Sequence, residues 1–230
     1  MPRPLLPLLL ACAAALGLAG CGGSSDGSAD GAATPAKTST PTGLPAGCKQ
    51  VAQPQPKPAQ RLPKPKLKLS ASKTYVATIA TSCGSFDITL DVKDSPRTSA
   101  SFASLAGKRF YDGTTFHRVV PGFVIQGGDP KGDGSGGPGY KVVEAPPKRV
   151  KYTPGVVAMA KTQFEASGTS GSQFFVVTGT KYQFAPEYAL LGRVSGGQAT
   201  VDRIAAVDAD AQTGAPVSPI AIDSVRVAVR

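Results

Sequence analysis

The chain is poor in the residues that build metal sites. It has one histidine, His117, and four cysteines, none of them in a Cys-x-x-Cys pair. Since zinc sites need clusters of such ligands, we expect no metal, and we expect no other cofactor. The glycine-rich stretch at 132–137 lacks the Gly-Lys-Ser/Thr ending of a phosphate-binding loop. Neither Ser135 nor Ser170 lies in the Gly-x-Ser-x-Gly turn of serine hydrolases. The sequence therefore indicates neither a nucleotide-binding P-loop protein nor a serine hydrolase.

Negative charge is also scarce. The chain has 15 acidic and 25 basic residues, and a net charge of +10. Much of the excess lies in residues 49–73, where proline alternates with lysine and arginine. No aromatic residue is interleaved with these cations, so we expect no nucleic-acid partner.

The N-terminus carries an apolar run that is too short to span a membrane. Residues 5–18 are mostly Leu and Ala and follow Arg3. A basic residue followed by a short apolar run is the layout of a secretory signal. A membrane span would need about 20 apolar residues. Residues 1–20 are therefore predicted to be a signal peptide. The motif Leu-Ala-Gly-Cys at 18–21 resembles the lipobox of bacterial lipoproteins, which implies cleavage before Cys21, lipidation of Cys21 and an extracytoplasmic protein anchored to the cell membrane. The alternative is an ordinary signal with a chance cysteine.

Residues 21–73 separate this leader from the folded domain. Residues 22–47 have almost no large apolar side chains and are expected to be disordered. Residues 49–73 are expected to form an extended, semi-rigid spacer, because proline favours polyproline geometry. The charge of this spacer has two interpretations. It presses against anionic headgroups or wall polymers, or it is solvated and repels itself.

Two cysteines remain after export, Cys48 and Cys83, because Cys12 leaves with the signal and Cys21 would carry the lipid. In an exported protein two such residues are more often bonded than free. A disulfide between them is therefore predicted, and it would join the start of the spacer to the first hairpin of the domain.

The composition becomes globular over residues 74–230, a length that suits one domain. Apolar runs and alternation predict eight short strands. Helices are predicted where apolar residues form a stripe, at 198–206 and after Ser95-Pro96. The Ser95 hydroxyl is expected to cap the first of these helices in the chain. So many short strands favour a closed antiparallel barrel over a βαβ sheet. The predicted strands cover 75–80, 86–92, 115–119, 124–126, 155–160, 173–178, 190–194 and 220–229, with a bulge near Ser224.

One segment places an arginine and a glutamine among aromatic and β-branched residues. It reads Phe-His-Arg-Val-Val-Pro-Gly-Phe-Val-Ile-Gln-Gly-Gly-Asp at 116–129, and unpaired polar groups in an apolar wall cost several kcal/mol. Together with Gly-Val-Val-Ala-Met-Ala at 155–160 and Gly-Ser-Gln-Phe-Phe at 171–175, it resembles the cyclophilin-type peptidyl-prolyl isomerases. The resemblance implies a mainly β fold, a closed eight-stranded antiparallel barrel capped by two α-helices.

The resemblance also implies roles for individual residues. Arg118 would be the catalytic arginine and Gln126 the amide beside it. A socket would hold the proline ring, and a groove would hold the residues around it. The socket residues are Phe123, Met159, Phe175 and Phe184, and His117 and Gln173 occupy further groove positions.

Rotation about an Xaa-Pro bond makes and breaks no bond, so it needs neither a nucleophile nor a base, and His117 is interpreted as groove lining. In the twisted transition state the prolyl nitrogen has a localised lone pair, which accepts a hydrogen bond that Arg118 can donate. We expect the partners to be proline-containing unfolded or exported polypeptides and the protein to be a monomer.

Two departures from the family pattern leave alternatives open. The loop at 161–168 is longer than in typical eukaryotic members. Gln183 stands where many cyclophilins place a tryptophan associated with cyclosporin binding, so weak inhibition by that drug is expected. One alternative function is a module that binds proline peptides with little catalysis. Another is a structural protein of the cell envelope in which the Lys/Pro spacer is the functional part.

Overall fold

Short strands joined by turns dominate the computed structural model, which describes residues 44–181 and 183–230. Two helices interrupt the strands, and both lie close to the positions predicted for them. The elements in chain order are β1 (Tyr75–Thr81), β2 (Gly84–Leu90), α1 (Pro96–Gly107), β3 (Thr114–Val120), β4 (Val124–Asp129), β5 (Val142–Val143), β6 (Val156–Met159), β7 (Thr169–Ser170), β8 (Phe174–Val177), β9 (Leu190–Gly196), α2 (Gln198–Ala205) and β10 (Ala221–Val229).

Eight of these strands close into an antiparallel barrel in the order β1-β10-β3-β4-β8-β6-β9-β2, while β5 and β7 form a separate two-stranded sheet. The predicted barrel with two helices is therefore confirmed. The bulge predicted in the last strand falls at Asp223, because Ala80 pairs with Ser224 and Thr81 pairs with Ile222.

Alternate residues of the barrel strands point inward, because side chains along a strand face opposite sides of the sheet. We call the buried apolar cluster that they form the inner core. Both helices contribute to it, through Phe102 and Leu105 of α1 and through Val201 and Ile204 of α2. Its largest strand residues include Phe86, Ile88, Phe116, Ile125, Met159, Phe174 and Leu191.

Helix α1 begins differently from the sequence prediction. Ser95 is the N-cap residue, but its hydroxyl makes no capping hydrogen bond. Glu144 takes this role from a distant loop and accepts hydrogen bonds from the backbone N–H groups of Arg97 (3.1 Å) and Thr98 (2.7 Å). A carboxylate is well suited to this position because it also faces the positive end of the helix dipole.

Residues 44–73, which we call the strap, lie along the barrel surface without regular secondary structure. The backbone N–H groups of Lys57 and Leu62 donate to the carbonyls of Pro130 and Pro138, both at 2.8 Å. The Lys57 ammonium donates to the Phe110 carbonyl at 2.7 Å. The sequence predicted a spacer here, whereas the structure shows a docked segment.

The physical reason for this docking lies in the few apolar residues of the strap. Leu44, Leu62 and Leu69 pack against the inner core. The many prolines limit the freedom of the unfolded strap, so ordering it costs less entropy. At its start, Cys48 is bonded to Cys83 in the turn between β1 and β2.

The predicted signal peptide at 1–20, the lipidation of Cys21 and most of the segment expected to be disordered lie outside the described residues. Within residues 44–181 and 183–230, no helix is long and apolar enough to cross a membrane.

Candidate active site

The register of four strands places the predicted catalytic residues side by side. Arg118 on β3 pairs with Gln126 on β4, Gln126 pairs with Phe175 on β8, and Phe175 pairs with Ala158 on β6. Residues directly opposite each other on antiparallel strands share a face of the sheet. These four residues therefore form one row, which we call the outer row, on the face turned away from the inner core.

A bulge at His117 gives Arg118 its outward direction. Phe116 pairs with Gly127 and Arg118 pairs with Gln126, so His117 is an extra residue on β3. Phe116 points into the inner core, and regular alternation would send Arg118 inward as well. Because of the bulge, Arg118 faces outward and the next residue, Val119, returns to the inner core.

The partly buried Arg118 guanidinium makes no hydrogen bond or ion pair with any described residue. Its stem packs against Gly214, where a Cβ atom would lie 3.0 Å from the Arg118 Cγ. The Gly214 carbonyl also accepts a hydrogen bond from the Val119 N–H at 2.7 Å. Gly214 has a φ of +76°, a conformation that favours glycine. The loop after α2 thus supports the arginine and leaves its charged end available.

Two glutamines link the outer row to the glycine-rich loop. Gln126 Nε2 donates to Gln173 Oε1 at 3.0 Å, and Gln173 Nε2 donates to the carbonyls of Gly134 (2.8 Å) and Gly136 (3.0 Å). The buried carboxylate of Asp129 holds the loop by accepting from the Gly134 N–H at 2.6 Å. The orientation of Gln126 is therefore fixed by a chain of hydrogen bonds that ends at the backbone.

Five aromatic rings form a cluster beside the outer row, and we call this the aromatic socket. Phe184 is at its centre and stacks on Phe123 (centroids 4.7 Å apart) and on Phe175 (5.2 Å). Tyr188 meets Phe184 edge-on at 5.5 Å, and Tyr152 lies 5.4 Å from it. Phe123 and Phe184 are partly exposed, so the socket presents an aromatic surface that suits a saturated ring.

Tyr152 and Tyr188 belong to the socket although the site prediction omitted them. The Tyr152 hydroxyl donates to the Tyr188 carbonyl and accepts from the Tyr188 N–H at 3.1 Å. Burial raises the pKa of Tyr152 to about 12, so its hydroxyl keeps its proton at neutral pH. No local motif marks Tyr152, because 36 residues separate it from Tyr188.

Met159 was predicted to line the socket, and this prediction is wrong. Met159 is 1% exposed and belongs to the inner core, where it pairs with Phe174 across β6 and β8. Its neighbour Ala158 is the β6 residue that faces outward next to Phe175. The resemblance identified the strand correctly, but it missed the face because neighbouring residues on a strand point to opposite sides.

His117 lies in the bulge with both ring nitrogens buried and without a hydrogen-bond partner among the described residues. Burial lowers the pKa of His117, although the carboxylate of Asp129 acts in the opposite direction. The imidazole is therefore neutral at pH 7.

Lys161 joins the two loops that border the socket and the groove. Its side chain is 5% exposed, and its ammonium is 3.3 Å from Glu187 Oε2 and 5.6 Å from the Tyr188 ring centre. It also donates to the Glu165 carbonyl at 3.3 Å. Lys161 thus ties the long 161–168 loop to the socket.

Comparison with known proteins agrees with this geometry. Residues 76–227 match the family model described as "Cyclophilin type peptidyl-prolyl cis-trans isomerase/CLD". Peptidyl-prolyl cis-trans isomerase B of Streptomyces anulatus is 38% identical over 172 residues, which are 67% of this chain and 97% of the relative. Peptidyl-prolyl cis-trans isomerase A of Mycobacterium tuberculosis is 35% identical over 172 residues, covering 67% of this chain and 92% of that protein.

Solved structures show the same similarity. A cyclophilin-type isomerase from Cryptosporidium parvum matches with a TM-score of 0.62 and 29% identity, over 68% of this chain and 99% of the other. A second structure of that protein, determined in the presence of the dipeptide Ala-Pro, matches with a TM-score of 0.62 and 28% identity, over 67% of this chain and 99% of the other.

Proposed function

This chain belongs to the cyclophilin-type peptidyl-prolyl cis-trans isomerases, and from this premise we propose that it rotates Xaa-Pro bonds of exported proteins through Arg118. The observation that carries the proposal is the Arg118 guanidinium, which has no hydrogen-bond or ion-pair partner among the described residues and lies beside Gln126 in the outer row. The aromatic socket begins at Phe175, which pairs with Gln126 on the side away from Arg118. Its rings hold the proline while the preceding carbonyl swings.

The electronic change during rotation explains why a donor is sufficient. The prolyl nitrogen shares its lone pair with the carbonyl while the peptide bond is planar, so it accepts hydrogen bonds poorly. Twisting localises the lone pair on the nitrogen. A hydrogen bond from Arg118 therefore stabilises the transition state more than the ground state, which is the condition for a faster reaction.

The required stabilisation of the transition state is consistent with separate contributions from Arg118 and from the aromatic socket. An Xaa-Pro bond isomerises unaided in tens to hundreds of seconds. Reaching about one millisecond requires about 5–7 kcal/mol of transition-state stabilisation. A preorganised donor at a developing charge contributes about 2.7–4 kcal/mol. Arg118 therefore accounts for about half of the effect, and orientation in the aromatic socket supplies the rest.

The location of this activity is also part of the proposal. Residues 1–20 have the layout of a secretory signal, and Cys21 ends a lipobox-like motif. The bond between Cys48 and Cys83 is of a kind that persists in oxidising compartments outside the cytoplasm. We therefore propose a lipid-anchored, extracytoplasmic isomerase that acts on proline-containing exported polypeptides.

An isomerisation assay on a proline tetrapeptide tests the proposal. We expect wild-type protein to accelerate the exchange, and Arg118→Ala to lose about 100- to 1,000-fold in kcat/KM. Arg193→Ala is the matched control, because Arg193 is an exposed arginine on β9, outside the outer row, and it should retain full activity. Equal rates for wild type and Arg118→Ala would contradict the proposal.

A further inference from the structure

The second half of the strap has an apolar side against the domain and a basic side toward solvent. Pro65 and Leu69 are partly buried, and Leu69 packs against the inner core. The side chains between and around them, Lys64, Lys66 and Lys68, are exposed. Docking of the strap therefore fixes three lysines, which would otherwise belong to a free spacer, onto one region of the folded surface.

These three lysines carry charge that the described part of the protein does not neutralise. Lys64, Lys66 and Lys68 have no ion pair and no hydrogen bond with a described residue. The two other cations of this region are already paired, because Arg97 bonds Glu144 at 3.4 Å and Lys141 bonds Glu165 at 2.9 Å. The excess positive charge therefore lies on the strap.

An apolar groove of about 610 Å³ lies among these cations. Its apolar lining includes Leu67 and Leu69 of the strap, Ala100 of α1, and Val142 and Val143 of β5. Leu67 is 45% exposed and Val143 is 51% exposed. No carboxylate lines the groove, whereas four cations do. Exposed large aliphatic side chains ringed by lysine are typical of surfaces that rest in a membrane interface.

We propose that this face, which comprises Lys64, Lys66, Leu67, Lys68 and Val143, docks the domain onto an anionic membrane surface. The lysines would contact headgroup phosphates, and the two apolar side chains would reach the boundary with the acyl chains. Charge complementarity selects this occupant, since anionic lipids attract clustered lysines and neutral lipids do not. The inference does not depend on isomerase activity.

The length of the intervening chain allows the contact. Residues 22–43 separate Cys21 from the strap, and a chain of that length spans at most about 75 Å. A lipid anchor combined with a polybasic surface gives stable attachment where one signal alone is marginal. Lys141 lines both this groove and the groove of about 380 Å³ that contains Gln126 and Gln173. Docking would therefore hold the substrate groove beside the membrane.

Vesicle co-sedimentation tests the inference on the mature chain, residues 21–230, made without the leader and carrying Cys21→Ser, so that it has neither the apolar run at 5–18 nor a lipid of its own. Vesicles of phosphatidylcholine alone are compared with vesicles containing phosphatidylglycerol, at low and high salt. We expect binding to the anionic vesicles only, weakened by salt. Since each lysine near such a surface contributes about a factor of five, a Lys64→Gln/Lys66→Gln/Lys68→Gln variant should bind about 100-fold more weakly.

The matched control removes the same amount of charge at three other exposed lysines, with Lys93→Gln, Lys108→Gln and Lys148→Gln. This control variant should bind the anionic vesicles within a few-fold of the parent. Leu67→Ser should also weaken binding. Both triple variants should keep the urea-denaturation midpoint of the parent, which shows that they are folded. Equal binding by the two triple variants, binding to neutral vesicles, or binding to polyglutamate without vesicle binding would overturn the inference.

Discussion

The two faces of strands β3, β4, β6 and β8 differ in what their side chains do, although they alternate along the same backbone. Inward residues such as Phe174 and Met159 are fully buried and apolar. Outward residues include a partly buried arginine and glutamine, with Phe175 beside them. The inner face is specified by volume and close packing. The outer face is specified by the placement of one charge, one amide and an aromatic surface.

One extra residue in β3 decides which of these two faces Arg118 occupies. Without the extra residue at His117, Arg118 would follow Phe116 into the barrel by alternation. A buried, unpaired guanidinium is costly, so the bulge is needed for stability, and in the proposed mechanism it also brings Arg118 to the face that meets the substrate. The site thus depends on a backbone irregularity as well as on its residue types.

The largest expected effect is on the inner face. Phe174 meets Phe102, Tyr111 and Phe116 edge-on, with centroids 5.7 to 6.0 Å apart. Phe174→Ala should lower the free energy of unfolding by about 3–5 kcal/mol, as measured by urea denaturation. The folded fraction should keep its kcat/KM, because Phe174 does not face the socket. A selective loss of kcat/KM at unchanged stability would show that Phe174 acts on the outer face and not in the inner core.

The second largest effect is expected at the centre of the aromatic socket. Phe184→Ala removes the ring that stacks on Phe123 and Phe175 and with it the central apolar surface that would contact the proline ring, and burial of such a side-chain surface contributes about 1.5–3 kcal/mol. We expect KM for a proline peptide to rise about 10-fold. Phe164→Ala serves as control because its ring is 91% exposed, and its KM should stay within two-fold of wild type. If both variants behave alike, the socket assignment is wrong.

A smaller effect is expected at Gln173, which positions Gln126. Gln173→Leu removes three hydrogen bonds and should lower kcat/KM about five-fold, a loss of about 1 kcal/mol. Gln173→Glu keeps an acceptor for Gln126 and should recover part of the activity. The urea midpoint serves as a separate readout. A shift in that midpoint without a change in kcat/KM would indicate a merely structural residue.

The smallest effect concerns pH and His117. Burial lowers the pKa of His117 in the folded protein, so the unfolded chain takes up a proton first as the pH falls. The free energy of unfolding should therefore decrease as the pH drops below the unfolded pKa of about 6.5. His117→Gln should flatten this decrease between pH 7 and pH 5, because the chain has no other histidine. An unchanged slope in urea titrations would show that His117 is not responsible.

Local patterns were sufficient to predict the barrel strands, because alternation, turn residues and the two helical stripes all agree over 75–229. The resemblance then located Arg118, Gln126, Phe175 and Phe184 within the region where the structure brings them together. Such inferences succeed where the determining contacts are close in sequence or belong to a long, specific motif.

Other features depend on contacts between distant residues, which a single sequence does not display. Met159 was placed on the wrong face because a motif match does not show the register. Ser95 was expected to cap α1, but Glu144 does so from 46 residues away. Residues 49–73 were interpreted as a spacer because proline favours extended polyproline geometry, yet a few leucines and Cys48 are enough to dock the strap.

Separate values of kcat and KM for Arg118→Ala and for Phe184→Ala distinguish stabilisation of the twisted state by Arg118 from binding of the ground state. If Arg118 donates to the prolyl nitrogen only in the twisted state, Arg118→Ala lowers kcat about 100-fold or more and leaves KM within two-fold of wild type, while Phe184→Ala raises KM and spares kcat. An Arg118→Ala enzyme with a raised KM and an unchanged kcat would contradict the account, because Arg118 would then bind the ground state rather than the transition state.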